Sequence, residues 1–350
     1  MPTIDHEDLQ KLTQAIFEKA GAPREEAAII SNHLVEANLM GHDSHGVMRV
    51  VGYARGMQSS DAKGCEYETM KETPATAVID ARGGLGIVAA TRAMKLSVAK
   101  ARNCTFGAVG IHNCTHTGRL GAFPVLAARE GMVGICMLNG GARFVAPFGG
   151  TEGRMPPNPL AFAAPRAQGD PVVLDIAMSS VAGGKVEVKR VRGEPLPEGW
   201  MIDSEGKPVT DAERIWSSEN PAAVLPLGGL EFGHKGFGLG FMVDCLAGGL
   251  SAAGCSREQP TRGASGFLAI AIKIEDFVPL EEFEQEVDHL AAWLKACPTM
   301  PDVDEVYLPG EIENRRLEQG LRNGLVLDEP TWIGIMELAN ELNLSVPVVA

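Results

Sequence analysis

The chain has 350 residues, 45% of them hydrophobic, and its 31 Lys and Arg against 45 Asp and Glu leave a formal charge of −14. That length accommodates one large domain or two with a substantial core. The acidity argues against a phosphate-backbone partner, so no nucleic acid is expected, and 7 scattered cysteines without a Cys-x-x-Cys pair do not form a disulfide framework.

Residues 1–7 contain neither a basic nor an apolar targeting region, and a cytoplasmic location is expected. The first helix takes Thr3 or Asp5 as its cap, buries Leu9, Leu12, Ile16 and Ala20, and stops at Gly21. Pro23 opens a second helix whose stripe of Ala27, Ile30, Leu34 and Ala37 runs to Met40, with Gly41 just past its end. Asp43 or Ser44 can then cap a third helix that buries Val47, Val50, Val51 and Ala54. Helical geometry from His45 onward would put His45, Arg49 and Tyr53 at successive i, i+4 positions of one face. Such a set suits a 2-oxo acid, because Arg grips a carboxylate through a forked pair of hydrogen bonds and His exchanges a proton with the carbonyl oxygen. Surface or capping roles are the plainer alternative for the same two residues.

The helical pattern breaks over residues 66–74, and strand and helix alternate thereafter, with strands at 75–80 and 107–111 around a helix at 89–102. Between them Gly84-Leu85-Gly86-Ile87-Val88-Ala89 matches the dinucleotide fingerprint, which also needs an acidic residue about twenty positions on for the ribose. After Asp80 the next carboxylate is Glu130, so the glycines read as a tight strand-to-helix turn. A helix near 122–130 and strands at 133–139, 160–164 and 172–177 follow, nearly continuous apolar runs that suit a sheet covered on both faces. Residues 192–229, rich in Pro, Gly and polar side chains, read as a long lid or binding loop. The apolar run 236–254 carries Asp244 and many glycines, so it reads as a buried core helix and no membrane partner is expected. A strand at 267–274 precedes a helix with Phe283, Val287, Leu290 and Leu294 facing inward, and the last helix, from Pro330, buries Trp332, Ile335, Leu338 and Leu342. The helices of the two chain ends are expected to pack together.

Further stretches carry chemistry. His112, Cys114 and His116 have a spacing that metal sites use, yet their polar surroundings favour a loop, so His116 reads as an active-site or cofactor contact and no metal is assigned. A strand over 173–181 presents Asp175 and then Ile176, Ala177, Met178 and Ser179 at its end, where α/β proteins place ligands; a buried Asp capping a turn is the alternative. Lys185 follows as an ammonium able to polarise a carbonyl. His234-Lys235-Gly236 reads as the opening of a buried helix, a ready anion site for a pyrophosphate.

The stretch Ser44-His45-Gly46 with Arg49 and Tyr53 resembles the signature of the malate/L-lactate dehydrogenase family, which is distinct from the Rossmann-type lactate and malate dehydrogenases. Asn113 to Gly118, Pro156 to Pro159, Asp175 to Ser179 and His234 to Gly236 resemble further family stretches in the same order, with two departures: Pro157 in place of a usual Thr, and Leu230-Glu231-Phe232 ahead of the His-Lys-Gly. The likeness through Asn38 to Tyr53 and His112 to Gly121 is to the hydroxycarboxylate dehydrogenase branch. It implies a non-Rossmann, NAD(P)-binding mixed-sheet α/β domain (75–308) with a helical domain built from both chain ends (1–74 and 309–350), assembled as a homodimer. It implies an NAD- or NADP-dependent enzyme that interconverts a 2-hydroxy acid and its 2-oxo acid, with His45, His116 and Lys185 catalytic and Arg49, Tyr53 and Ser44 binding substrate. Asn139, Asn158, Asp175, Ile176, Ala177, Met178, Ser179, His234, Lys235, Gly310 and Glu311 are the implied cofactor contacts. Rivals within the family are a cyclic imino acid reductase and a ureidoglycolate dehydrogenase, the latter using the histidine matching His116 as base. In the imino acid reductases the residue ten after the strand-end aspartate is an acid, where this chain has Lys185. A His/Cys metal-binding or structural oligomer is the rival from another class.

Overall fold

The computed structural model of the chain describes residues 1–59, 64, 66–258 and 265–347. Strand β1 (Thr3–Ile4) leads into α1 (His6–Ala20), α2 (Arg24–Leu39) and α3 (Val50–Ser59). Asp5 caps α1 by accepting from the amides of Glu7 and Asp8, and Gly21 ends it in the left-handed conformation. The expected stripes of α1 and α2 are buried.

The central region runs through β2 (Glu68–Glu72), β3 (Thr76–Asp80), α4 (Gly86–Cys104), β4 (Phe106–His112), α5 (Pro124–Ala128), β5 (Met132–Asn139), β6 (Leu160–Ala164) and β7 (Val172–Ile176). It continues with α6 (Gly183–Arg192), β8 (Met201–Ile202), β9 (Pro208–Val209), β10 (Ala223–Val224), α7 (Gly229–Val243), β11 (Gly266–Lys273) and α8 (Leu280–Lys295). The end of the chain holds α9 (Glu311–Asn323), β12 (Leu325–Val326) and α10 (Glu329–Glu341).

Seven strands form one mixed sheet in the order β2-β3-β4-β11-β5-β6-β7. Among the described residues of this sheet, β3 and β4 run parallel and the other pairings are antiparallel. A dinucleotide fold of the doubly wound type needs a mostly parallel sheet, so this is a different α/β architecture. Strand residues alternate between its faces: Cys136, Ala161 and Ala269 pack with α4 and α5, whereas Met137, Leu160 and Leu268 pack with the region around α7. A helical layer from both chain ends packs as one core, joining Leu9, Ile16, Ile30, Leu34 and Val50 to Leu325, Trp332, Ile335 and Leu338. β1 and β12 pair antiparallel at its edge.

Several expectations are corrected. The break at 66–74 contains β2, which extends the sheet by an exposed edge strand that no apolar alternation announces. The long loop at 192–229 contains β8, β9 and β10, a three-stranded sheet with its own core of Val186, Leu196, Met201, Val209, Ile215 and Val224. The strand bearing Asp175 ends at Ile176, and residues 177–182 cross irregularly to α6. On α8, Leu290 and Leu294 are exposed, so its apolar face is not inward. The helix α7 is buried only along Gly233, Gly236, Gly240 and Val243, while Leu239, Phe241 and Met242 are open. Its inner face is made of small residues because the 226–227 loop and Met178 approach it closely; a Cβ on Gly236 would lie 2.4 Å from the Leu227 carbonyl oxygen. α7 continues into a π-helical turn, Asp244–Gly249.

Candidate active site

The segment after α2 is held by Asn38, whose Oδ1 accepts from the Val47 amide at 2.6 Å and whose Nδ2 donates to Asp43 Oδ1 at 2.8 Å. Between those anchors the chain makes two short 3-10 turns, Asp43–His45 and Val47–Arg49, interrupted by extended backbone at Gly46. His45, Arg49 and Tyr53 therefore do not ride on one helix, since α3 begins only at Val50. They converge by another route. Arg49 Nε donates to the Ser44 carbonyl at 2.8 Å, and Ser44 Oγ meets His45 Nδ1 at 2.9 Å.

Tyr53 reaches across to His116 on the loop after β4, its hydroxyl 2.5 Å from Nδ1. The Gly118 amide donates to that same nitrogen at 3.2 Å. An amide can only donate, so His116 Nδ1 is an acceptor and neutral His116 carries its proton on Nε2. The His45 and His116 rings lie with centroids 5.4 Å apart. Enclosure by protein mass, then the positive charge of Arg49, depresses His45 to a pKa of about 4. His116 is likewise lowered to about 4, first by burial and then by His45 and Arg49, although its ring is open toward the cleft. Burial raises the Tyr53 phenol. Near neutral pH the cluster thus presents two neutral imidazoles, a neutral phenol and a guanidinium. Among the described residues no carboxylate pairs with Arg49; Glu187 senses its charge but bonds to Arg190.

The first turn of α6 closes one side, where a Cβ on Gly184 would lie 2.9 Å from Ser44 Cβ. Lys185 in that turn is exposed and acts electrostatically on His42, which burial, then Arg119 and Lys185, lower to about 4. His42 also lines a cavity of about 380 Å³ on the α5 side of the sheet, together with Arg119, Asp175, Gly310 and Glu313. Here Asp175 Oδ2 accepts from the Gly121 amide at 2.6 Å, and burial raises its carboxyl. Arg119 binds Glu36 at 2.6 Å while its buried Nε has no hydrogen-bond partner among the described residues.

Other expected residues stand elsewhere. Asn139 and Asn158 are buried and direct their amides at Asp244, at 2.6 and 3.0 Å. Ile176 and Met178 belong to the core on the α7 side, and Ser179 Oγ bonds the Val181 carbonyl while Ala177 is half-buried. Glu311 is held by Lys295, Arg315 and the Leu308 amide. His234 and Lys235 do not open a helix: α7 begins at Gly229, and both project from its outer face, with Phe148 beside His234 and Phe232 under Lys235. His112 faces Asp80 and Cys114 lies in the core, so neither is directed at the cleft with His116. Sequence reasoning missed Arg119, His42 and His33, the last of which accepts from the Arg119 amide at 2.9 Å. The signal for His33 was its place three residues after Ile30 and four before Ala37, on the buried stripe of α2.

The sequence model of the malate/L-lactate dehydrogenase family matches residues 4–336. The chain belongs to this family. It is 37% identical over 335 residues to malate dehydrogenase of Pyrococcus horikoshii, covering 93% of this chain and 91% of the relative. The solved structure of that enzyme superposes with a TM-score of 0.88 at 33% identity, over 99% of this chain and 97% of the other. Hydroxycarboxylate dehydrogenase B of Escherichia coli K12 is 33% identical over 352 residues, 97% of this chain and 94% of the relative. The crystal structure of delta1-piperideine-2-carboxylate reductase from Pseudomonas syringae pvar. tomato matches at a TM-score of 0.81 and 28% identity, over 97% and 100% of the two chains. The chain is thus a 2-hydroxy acid dehydrogenase, and membership implies a nicotinamide cofactor. Among the described residues no helix is long and apolar enough to cross a membrane.

Proposed function

We propose that the enzyme interconverts a 2-hydroxy acid and its 2-oxo acid at the His45–His116 pair, using NAD or NADP. The observation that carries this reading is the pair of neutral imidazoles beside a guanidinium that no carboxylate among the described residues pairs. Arg49, its Nε already held by the Ser44 carbonyl, retains two terminal nitrogens for a forked grip on the substrate carboxylate. His45 takes the hydroxyl proton during oxidation and returns it during reduction, with Ser44 orienting its ring. His116, with Tyr53 and Gly118 on Nδ1, offers Nε2–H to the substrate oxygen. Lys185 adds positive charge where that oxygen becomes negative.

The cavity beside His42 fits the nicotinamide cofactor: His42 on its wall stands three residues before His45 in the chain, and it is lined by the buried Arg119, whose Nε has no partner among the described residues and suits a phosphate. Arg119, Asp175 and Gly310 would hold it there, and when bound it supplies or accepts the hydride at the substrate C2. His234 and Lys235 lie beyond the opposite face of the sheet, so cofactor contacts from them would come from a second copy. The exposed Leu239, Phe241 and Met242 on the same helix support a homodimer packed through α7. We place the enzyme in the cytoplasm, where its free cysteines stay reduced.

A panel of 2-oxo acids and cyclic imino acids, assayed with NADH and with NADPH, tests the reading. The likeness to the piperideine carboxylate reductase makes a cyclic imine the second reading, but an ammonium at Lys185 repels an iminium. Reduction of 2-oxo acids and not of imines is expected; the reverse would overturn the assignment.

A further inference from the structure

The loop that carries His116 is fixed from below by a buried residue of α2 that lies outside the His45–Arg49–Tyr53–His116 cluster. His33 projects from the buried face of α2 and stacks on Phe123, with ring centroids 5.4 Å apart and planes 21° from parallel. Its Nε2 accepts from the Arg119 amide at 2.9 Å. Gly118 lies directly against that nitrogen: a Cβ there would stand 2.2 Å from His33 Nε2, at a φ of +73° that already favours glycine. The neighbouring amide, that of Gly118, sets the tautomer of His116. Two consecutive amides therefore link a buried imidazole to an active-site one. The first ends on His33 and the second on His116.

We infer that His33 is a positioning residue for the reaction, holding the Gly118–Arg119 backbone so that the Gly118 amide keeps His116 as the Nε2–H tautomer beside His45. The role requires His33 to stay neutral, because a protonated ring has no acceptor nitrogen. Its surroundings favour this: burial first, then the positive charge of Arg119 and the neighbouring His45 and His116, lower it to about 3. Of the carboxylates on this loop's flanks, Glu36 is paired with the Arg119 side chain and Asp175 accepts from the Gly121 amide. Leucine would fill much of the same volume without an acceptor. Glutamine offers an amide oxygen near the place of Nε2.

This inference rests on His45 and His116 as the reacting pair, which His45→Gln and His116→Gln test separately by loss of turnover. The decisive comparison is His33→Leu against His33→Gln, read as kcat and KM for the 2-oxo acid and as NADH affinity by fluorescence titration. In His33→Leu kcat should fall by about ten- to a hundredfold through misplacement of His116, with KM little changed and NADH affinity largely kept because Glu36 still holds the Arg119 guanidinium. His33→Gln should recover most of the loss. A purely structural role would lower the melting temperature of both variants without separating kcat from KM. If the leucine variant does not fold, 15N NMR of the wild-type protein decides: His33 should be neutral and protonated on Nδ1 at pH 7. Wild-type kcat in His33→Leu, equal losses in the two variants, or a charged His33 at pH 7 would overturn the inference.

Discussion

Replacing Gly86 by Ala separates a structural turn from a phosphate-binding one. A Cβ at this position would lie 2.1 Å from the Thr115 carbonyl oxygen and 2.5 Å from that of His116. Both contacts are backbone, so the loop must retreat by roughly 1 Å to reach ordinary packing distance. Two hydrogen bonds oppose the movement, Gly86 amide to Thr115 Oγ1 and Thr115 amide to the Gly84 carbonyl, each at 2.9 Å. Weakening them costs about 1 kcal/mol each, and the overpacking adds about 1–3 kcal/mol, so Gly86→Ala should lose about 3–5 kcal/mol of stability. Because the displaced carbonyl belongs to His116 itself, kcat should also fall by about a hundredfold. Urea unfolding, steady-state kinetics and NADH titration on one preparation give the three readings. An unchanged urea midpoint with weakened NADH binding would refute the reasoning and return these glycines to a cofactor phosphate.

Four further outcomes are expected. Arg49→Lys keeps the charge but loses the fork, so kcat/KM should drop by about one to three decades; unchanged kinetics in a folded variant would remove Arg49 from the site. Lys185→Asp should lower 2-oxo acid reduction and favour cyclic imines, and a wild-type enzyme that reduces Δ1-pyrroline-2-carboxylate faster than pyruvate or oxaloacetate would contradict its role. With His45 and His116 both lowered to about 4, kcat/KM for hydroxy acid oxidation should be flat from neutrality down to about pH 5 and fall below it; a limb near the ordinary histidine value would oppose a pre-neutralised base. His33, at about 3 in the folded state against 6.5 as its ordinary value, binds protons more readily when unfolded, so its contribution is lost as the pH falls below 6.5. By pH 4.5 that loss is about 3 kcal/mol, and a stability by urea titration that stays level over this range would count against the buried neutral ring.

Periodicity exposed the helices of both chain ends because their inner faces are large apolar side chains, and most central strands because they are nearly continuous apolar runs buried on both faces of the sheet. It failed where the inner face is glycine: α7 has three glycines inward and Leu239, Phe241 and Met242 outward, so hydropathy pointed to burial on the wrong side. The composition of 192–229 looked like loop because its strands are two residues long and packed by tertiary contacts rather than by alternation. Around the site, residue types were legible and their geometry was not. His45, Arg49 and Tyr53 suggested one helix, but Asn38 draws Val47 back and leaves Gly46 extended between two turns. Arg119 and His33 escaped notice because their meaning lies in contacts spanning 83 and 86 residues of chain.

The antiparallel pairing of Thr3 and Ile4 with Val326 and Leu325 bears on synthesis. A nascent chain releases His45 and Arg49 well before Trp332, Ile335 and Leu338, which complete the layer that seats them. The central sheet can collapse while the N-terminal helices wait for their closing strand and α10, a contact of very long sequence separation and correspondingly slow formation. Catalytic competence would then wait for β12 and α10 to emerge, and chains cut short before β12 would present an assembled sheet beside an unseated proton-transfer pair.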